Sequence, residues 1–391
     1  MRRTGIVASA VVLVASLGLY LAWPKLRVAF SQSAPTINGL LYASYRFNAL
    51  QNPTGLFFGS CPASTSSCIY IADSNNHVVR MFNTSAGTLS VFAGTAGQPG
   101  YADGTTASAL FQHPTGFVGA SNRGFNPFTG RFYSYVYLYV SDGTNYVLRR
   151  ICKGILFSGS ACDNVTTVAG NHTQGFVDGS SLSAAFATLG GAAPPAGAQS
   201  ALAPPFYICD SQNHSIRYWD GSNVSTFAGT GQPGYADGYR TAAQFSAPAK
   251  IAWDPSGNIY VADMGNNMIR KIDVSGNVTT FAGSAPGYTD GQGSNAQFRM
   301  PSSIAFNPAD NFLYVADSMN NVIRRIDLSG NVTTYAGSGA AGLVDGALNQ
   351  AQFQCPMDIL IQNGFMYLSD TMNNVIRRID MVNALVSTYI S

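Results

Sequence analysis

The chain has 391 residues, a formal net charge of +2 and only 10% charged side chains, together with 41 Gly, 20 Tyr and 23 Phe. So small and balanced a charge supplies no basic stripe for a phosphate backbone, which excludes nucleic acid as an expected partner. The wealth of aromatic residues and glycine indicates instead a protein built from strands and turns.

The first 30 residues predict an export signal. Arg2 and Arg3 precede an uncharged run over residues 4–24. This run is longer than the roughly 7–15 apolar residues of a typical cleavable signal and just reaches the roughly 17–25 that cross a bilayer. We therefore favour a retained signal-anchor over a cleaved signal peptide, followed by a linker over residues 31–46. The rest of the chain then faces the exterior or a secretory lumen. Because no acidic residue precedes Asp73, targeting to an organelle lumen is the alternative.

The central feature of the sequence is the motif Tyr-x-x-Asp-x-x-Asn-x-x-(Ile/Val/Leu)-Arg, which occurs six times. Its aspartates are Asp73, Asp142, Asp210, Asp263, Asp317 and Asp370, and its arginines are Arg80, Arg149, Arg217, Arg270, Arg324 and Arg377. Short runs rich in Val, Ile, Tyr, Phe and Thr surround each copy, as in PSSIAFN, NFLYVAD, NVIRRID and NVTTYAG of the fifth. Four such runs per repeat, bounded by turn residues, are typical of propeller blades. We therefore expect an all-β, six-bladed β-propeller over residues 47–391.

The strings PSSIAFNPADNFLYVADSMNNVIRRIDLSGNVTTYAG and PAKIAWDPSGNIYVADMGNNMIRKIDVSGNVTTFAG resemble NHL repeats. The resemblance covers about residues 47–391. It implies a six-bladed propeller of a kind used mostly to bind protein or RNA partners and occasionally for catalysis. The third repeat departs from the pattern, since Leu189 stands where the other inner strands begin with Pro, and the start of that blade is left open.

We interpret the repeated Asp, Asn and Arg as scaffold, because a catalytic centre is needed once whereas blade geometry is needed six times. A four-residue loop SMNN places Asp317 opposite Val322 and on the same face as Arg324. The carboxylate is then expected to accept N–H groups of the turn and to pair with the arginine. No catalytic residue is predicted from this motif.

No metal or other cofactor is predicted. The four histidines are His77, His113, His172 and His214. His77 and His214 occupy a turn position that is Asn in later repeats, and no zinc-binding spacing is present. The alternative function is nonetheless a metal-dependent propeller lyase or lactonase-type enzyme with its site at the mouth of the channel.

The inner strands differ from one another where their side chains are expected to face the central channel. Lys250 and Asp358 carry the charges at these positions, which makes them the candidate ligand contacts on the axis. A mutual ion pair or a solvated channel wall is the favoured interpretation.

Six cysteines fit an oxidising compartment. We expect disulfides between Cys61 and Cys68 and between Cys152 and Cys162, and we leave the pairing of Cys209 and Cys355 open. Seven sequons are candidates for N-glycosylation, at Asn83, Asn164, Asn171, Asn213, Asn223, Asn277 and Asn331.

These features together predict an exported, membrane-anchored or secreted propeller that acts as an interaction or structural module. Its expected partner is another protein or further copies of itself, as in a surface layer or fibre, and the N-terminal segment contacts a membrane if it is not cleaved.

Overall fold

A computed structural model describes residues 49–62, 64–128, 130–195 and 204–391, apart from the side chain of Arg123. The predicted anchor over residues 1–30, the linker and the first residues of the predicted domain lie outside this part. Within the described residues no helix is both long and apolar enough to span a membrane. The propeller occupies Leu50–Ser391.

The described chain forms six antiparallel sheets, which confirms the predicted all-β, six-bladed propeller. Blade one consists of β1 (Pro53–Ser60), β2 (Ser67–Asp73), β3 (Val78–Asn83) and β4 (Thr88–Ala93). Blade two consists of β5 (Pro114–Asn126), β6 (Arg131–Asp142), β7 (Val147–Ile155) and β8 (Ala161–Ala169). Blade three consists of β9 (Gly179–Ser180), β10 (Leu189–Ala193), β11 (Phe206–Asp210), β12 (Ser215–Trp219) and β13 (Asn223–Ala228).

The last three blades repeat one pattern closely. Blade four consists of β14 (Gly238–Tyr239), β15 (Pro248–Trp253), β16 (Ile259–Asp263), β17 (Met268–Ile272) and β18 (Asn277–Gly283). Blade five consists of β19 (Gly291–Gln292), β20 (Pro301–Asn307), β21 (Phe312–Asp317), β22 (Val322–Asp327) and β23 (Asn331–Ala336). Blade six consists of β24 (Gly346–Ala347), β25 (Pro356–Gln362), β26 (Phe365–Asp370), β27 (Val375–Asp380) and β28 (Leu385–Ile390).

A short 3-10 turn joins the second and third long strands of every blade. These turns are Ser74–Asn76, Gly143–Asn145, Ser211–Asn213, Met264–Asn266, Ser318–Asn320 and Thr371–Asn373, and two more, Arg240–Ala242 and Gly293–Asn295, lie in the links to blades four and five. The five links are residues 94–113, 170–188, 229–247, 284–300 and 337–355. The last four each contribute a two-residue strand to the blade that follows, as β19 does by pairing with the outermost strand β23. The first makes a single bridge, from Gly104 to Val165. Each link therefore covers the outer edge of the sheet that follows it, which protects an otherwise open edge.

Six apolar clusters hold the blades together, one between each pair of neighbours. Between blades four and five, for example, Tyr260 and Ala262 pack with Ile304 and Val315. The sixth cluster joins the two ends of the described chain, with Ile69 of blade one beside Ile376 of blade six. Alternation along each strand supplies an apolar side chain to both faces of every sheet, so each blade is sandwiched by its neighbours.

The third blade begins at Leu189. This residue pairs with Asp210 just as Pro301 pairs with Asp317, so Leu takes the place of Pro without shifting the inner strand. The third blade therefore starts at Leu189, a boundary that the sequence left open.

Alternating strand direction gives the propeller two chemically different faces. We call the end that carries the 3-10 turns and the inter-blade links the turn face. The opposite end, which carries the β1–β2 and β3–β4 connections of blade one and their counterparts, is the hairpin face. Both disulfides and the long strands of blade two belong to the hairpin face, whereas the repeated Asp and Asn belong to the turn face.

The turn-closing residue, the first after the 3-10 turn between the second and third long strands, ties its blade to the next in every described blade except blade two, where it is Tyr146. In blades four, five and six it is Asn267, Asn321 or Asn374, each with a positive φ between 56° and 58°. Its side-chain Oδ1 accepts the backbone N–H just before the next inner strand, from Met300 at 2.9 Å, Cys355 at 3.0 Å and Asn52 at 2.8 Å, respectively.

The last of these bonds joins blades six and one, which share no strand within the described residues. Thr371 Oγ1 donates to the carbonyl of Pro53 at 2.6 Å and Ser369 Oγ to that of Thr54 at 2.9 Å. In the described part of the chain, side-chain hydrogen bonds and the apolar cluster therefore hold the two blades together.

We expect Asn374→Ala to lower the free energy of unfolding by about 1–2 kcal/mol, since it leaves the partly buried N–H of Asn52 without its acceptor and places Ala at positive φ. Asn321→Ala is the matched control, because it removes the equivalent bond between two blades that the chain itself connects. Urea denaturation followed by tyrosine fluorescence should show a larger loss for Asn374→Ala. Equal losses would contradict a special role of this bond in ring closure.

Candidate functional site

The repeated Asp, Asn and Arg form a buried cluster, which blade five illustrates. Asp317 lies opposite Val322 in the β21–β22 hairpin and is fully buried. Its carboxylate accepts the backbone N–H of Arg299 at 2.7 Å, Nδ2 of Asn320 at 2.9 Å and Nη1 of Arg324 at 2.9 Å. Burial raises the pKa of Asp317, and these three donors oppose the rise. All of the carboxylate's strong contacts are thus internal to the scaffold.

The arginine also binds the link, a partner that the motif did not reveal. Nη2 of Arg324 donates to Asp290 Oδ1 at 2.6 Å and to the carbonyl of Thr289 at 2.8 Å. Asp290 in turn accepts the backbone N–H and the hydroxyl of Thr334 on the outermost strand, each at 3.1 Å. One guanidinium therefore joins the turn, the link and the outer edge of the blade.

The same arrangement recurs in blades two to six. The link aspartates that pair with the repeated arginines are Asp103, Asp178, Asp237, Asp290 and Asp345. A buried phenylalanine lies against each guanidinium at 5.1–5.5 Å from the ring centroid, namely Phe111, Phe186, Phe245, Phe298 and Phe353. The recurring Asp-Gly of the links and the Phe that follows it were the sequence signals for these contacts. Their partner is far away in the chain, so only the fold pairs them.

We expect Arg324→Met to lower the free energy of unfolding by about 3–5 kcal/mol, because it leaves the buried Asp317 carboxylate without its cation. Asp290→Asn should cost about 1 kcal/mol, since this carboxylate is half exposed and water screens its loss. Urea titration of the three proteins measures both. A similar loss for the two variants would contradict the distinction between the buried and the exposed carboxylate.

Two histidines serve as turn-closing residues. Nδ1 of His77 accepts the backbone N–H of His113 at 3.3 Å, and Nδ1 of His214 accepts that of Ala247 at 3.1 Å. Both rings must be neutral at Nδ1 to do so. Burial and the neighbouring His113 lower the pKa of His77 to about 4, and burial lowers the pKa of His214.

A lowered histidine pKa means that the unfolded chain takes up protons first as the pH falls. The stabilisation is present above the ordinary pKa of 6.5 and is lost progressively toward pH 4. We expect the stability of the wild type relative to a His77→Asn/His214→Asn variant to fall by about 1–2 kcal/mol over this window, after allowance for solvent screening.

The comparison uses urea midpoints of both proteins at several pH values, since Asn makes the same bond in other blades without titrating. His172→Asn, which replaces an exposed histidine, is the control and should leave the difference unchanged. A difference that is flat between pH 7 and 4 would rule out the titration of the two turn histidines.

On the axis, the two candidate charges contact each other. Lys250 Nζ of blade four binds Asp358 Oδ1 of blade six, and Ser303 Oγ of blade five donates to the same oxygen at 2.9 Å. Asp358 Oδ2 accepts the N–H of Leu56 in blade one at 2.8 Å. The carboxylate is therefore held by three other blades, and the pair closes the axis from one side.

Glycines close the axis from the other side. At the register position of Lys250, blades one to three carry Gly55, Gly116 and Gly191. A Cβ on Gly55 would lie 2.2 Å from the carbonyl oxygen of Thr115, and one on Gly191 would lie 3.0 Å from Cγ of Lys250. The inner strands thus approach so closely that only glycine fits, and the lysine stem lies against Gly191.

In the described part of the chain no group of three or more His, Cys, Asp or Glu is arranged to hold a metal ion. His172 stacks on Tyr101, with their centroids 3.9 Å apart, and its Nδ1 lies 3.0 Å from the carbonyl of Asn145. His113 Nδ1 lies 3.2 Å from the hydroxyl of Thr144. Each histidine thus has a contact within the scaffold, and the rings of His77 and His113 also pack edge to face, with their centroids 4.7 Å apart.

Blade two carries the largest departure from the repeat. Its strands β5 and β6 have 13 and 12 residues, against 7 and 6 for β20 and β21 of blade five. At about 3.3 Å per residue the hairpin projects about 20 Å further from the hairpin face. What we call the aromatic tip consists of Phe125, Phe128 and Phe132 at the end of this hairpin together with Ile155 and Phe157 of the adjoining β7–β8 hairpin, all exposed. The sequence did not reveal that these aromatic side chains remain uncovered.

Comparison with known proteins agrees with the repeat geometry. Residues 228–385 match the family model described as the teneurin NHL domain. Human NHL repeat-containing protein 2 is 31% identical over 178 residues, which cover 41% of this chain and 24% of that protein. This chain is an NHL-repeat β-propeller.

Longer and more distant similarities extend over the rest of the NHL propeller. The Arabidopsis thaliana protein SUPPRESSOR OF QUENCHING 1, chloroplastic, is 27% identical over 340 residues, covering 80% of this chain and 29% of that protein. The chain thus spans less than a third of the length of these curated relatives. A solved auxiliary nutrient binding protein from Bacteroides thetaiotaomicron shares the fold, with a TM-score of 0.56, 16% identity and coverage of 87% of this chain and 70% of that one.

The NHL propeller contains two disulfides, Cys61–Cys68 in the β1–β2 connection and Cys152–Cys162 between β7 and β8. Cys209 and Cys355 are free and buried, and burial raises both thiol pKa values. Both disulfides therefore brace the connections of the hairpin face.

The seven sequons of the NHL propeller differ in accessibility. Asn164, Asn171, Asn223, Asn277 and Asn331 are exposed and Asn83 is partly buried. Nδ2 of Asn213 donates to Asp210 and to the carbonyl of Gly175, as the repeated turn Asn does in other blades. A glycan on Asn213 would break this contact, so the repeat uses this side chain for the turn.

Proposed function

We propose that this NHL propeller is an exported protein, tethered to a membrane by residues 1–30, that works as an interaction or structural module. The observation that carries the proposal is that its charged side chains pair with one another inside the propeller. Lys250 and Asp358 bind each other on the axis, where a propeller ligand would be expected, and the repeated aspartates and arginines pair within the blades. Few of these charged groups are therefore left to contact a substrate.

The disulfides support an oxidising compartment, because such bonds persist in secreted and lumenal proteins. We therefore place the propeller outside the cell or in a secretory lumen, with an organelle lumen as the alternative. In a eukaryotic secretory lumen the exposed sequons would accept glycans, and these would add polar surface to a chain with so few charges.

We place a protein partner on the turn face. Each of the five links exposes an apolar side chain two residues before its Asp-Gly, namely Tyr101, Phe176, Tyr235, Tyr288 and Leu343. Some of these rings cover the buried arginines, as Tyr288 does over Arg324 at 5.2 Å. Tyr235 and Leu343 are 67% and 49% exposed. Apolar side chains spread over one face in this way mark a surface that a partner can cover.

We expect Tyr235→Glu/Leu343→Glu to abolish binding of the native protein partner, or assembly with further copies, by placing charge in the contact. The measurement is cross-linking of the full chain in its native setting, followed by identification of the linked peptides. Val274→Glu is the matched control, because Val274 is 71% exposed but lies on the hairpin face, and it should bind normally.

Metal analysis of the native protein separates this function from the enzyme alternative. One bound zinc or calcium per chain, together with normal partner binding by Tyr235→Glu/Leu343→Glu, would contradict the interaction module. A metal-free protein whose cross-links fall on the turn-face links supports it.

A further inference from the structure

The aromatic tip of blade two is an unusual concentration of uncovered apolar surface. Phe128 in the turn is 91% exposed, Phe132 77% and Phe125 52%, and Phe157 at 48% extends the cluster from the adjoining β7–β8 hairpin. The ring centroids of Phe125 and Phe132 lie 5.2 Å apart, so the side chains form one cluster. Exposed apolar groups at the end of a projection, beyond the body of the domain, imply an apolar environment for that end.

The side chains below the tip change in character with depth. Tyr133, Tyr135 and Tyr137 follow at alternate positions of β6 and are partly buried, and Tyr139 reaches the core. Phe157 packs edge-on against Tyr133, with the centroids 5.3 Å apart. A purely apolar end followed by amphipathic tyrosines is the order found where proteins enter the interface of a bilayer.

The charges of the two hairpins are complementary to phosphate. Residues 114–141 contain two arginines and no Asp or Glu, and residues 143–162 contain no Asp or Glu either. Arg131 is exposed beside Phe132. The first carboxylate along the β7–β8 hairpin, Asp163, accepts a hydrogen bond from Thr106 Oγ1 at 2.6 Å and lies 3.8 Å from Lys153 Nζ. No carboxylate of these segments therefore opposes a phospholipid headgroup.

The hairpins are also rigid enough to hold the tip in place. Eleven residue pairs join β5 to β6, up to Asn126 opposite Arg131, and Nδ2 of Asn126 donates to the carbonyl of Phe157 at 2.6 Å. The Cys152–Cys162 disulfide fixes the β7–β8 hairpin behind it. The aromatic groups are thus presented by a braced pair of hairpins rather than by a loose loop.

We infer that the aromatic tip inserts into the interface of a phospholipid bilayer, with Phe125, Phe128, Phe132 and Phe157 among the acyl chains and Arg131 beside the phosphates. This contact is separate from the tether and goes beyond the proposed function. It leaves the turn face, on the opposite side of the propeller, directed away from the membrane.

The test places a tryptophan at the most exposed position of the tip. Full-chain Phe128→Trp is mixed with vesicles of phosphatidylcholine and phosphatidylserine, with or without brominated acyl chains. The wild type, which has three tryptophans, supplies the background. Tyr235→Trp is the matched control, because Tyr235 is also highly exposed but lies on the turn face.

We expect the additional emission of Phe128→Trp to shift to the blue on vesicles and to be quenched by the brominated chains, while that of Tyr235→Trp stays as in water. Unchanged emission of Phe128→Trp on vesicles would overturn the inference even if the tether binds the chain to them. A blue shift that develops with protein concentration in the absence of lipid would also overturn it, since the tip would then contact another copy.

A second reporter guards against a local effect of the new tryptophan. Phe157→Trp should also be quenched, and adding Phe128→Asp and Phe132→Asp to it should remove the quenching. All substituted positions are exposed, and circular dichroism should match the wild type. Quenching that survives the two aspartates would overturn insertion by the tip.

Discussion

The buried arginine of each repeat is the interaction on which the propeller depends. Arg324 makes charge-assisted hydrogen bonds to one buried carboxylate and one half-exposed carboxylate, and its flat face lies against Phe298. Such a group is costly to desolvate, so it is retained only where every partner is in place. Because the partners come from the turn and the link, and the link aspartate also binds the outermost strand, the arginine fixes the register of all three at once.

This requirement explains why the links are as regular as the blades. A link must bring its aspartate to the guanidinium, must supply the phenylalanine beneath it, and must then enter the next inner strand on the axis. The turn-closing residue acts at the same end of the blade, since its side chain holds the N–H that precedes the next inner strand. Five of the six described blades therefore position their successors in this way, and Asn374 does so for Asn52 where blade six meets blade one.

The sequence was sufficient to predict the fold and the buried pair of Asp and Arg, because both features repeat. Six copies of one motif determined the blade count, and hairpin alternation placed Asp317 and Arg324 on one face. The link aspartates could not be assigned to the arginines, since they lie more than 30 residues away and Asp-Gly is an ordinary turn. The contact of Lys250 with Asp358 likewise crosses 108 residues, and the two charges suggested a pair without deciding it. Exposure of Phe128 was beyond prediction, because a phenylalanine in an insertion can as well be buried against the body of the protein.

The two faces of the propeller have different symmetry, which suits different kinds of contact. The turn face repeats one surface around the axis, so a partner there meets similar groups from several blades and its affinity draws on many small contacts. The aromatic tip occurs once and stands off the axis. A single off-axis insertion into a bilayer leaves the propeller free to rotate about the bilayer normal, but it limits the tilt and keeps the opposite face toward solution. In the arrangement that we propose, the repeated scaffold and the single departure from it act together: the ring would provide the binding surface, and blade two would determine the direction in which that surface points.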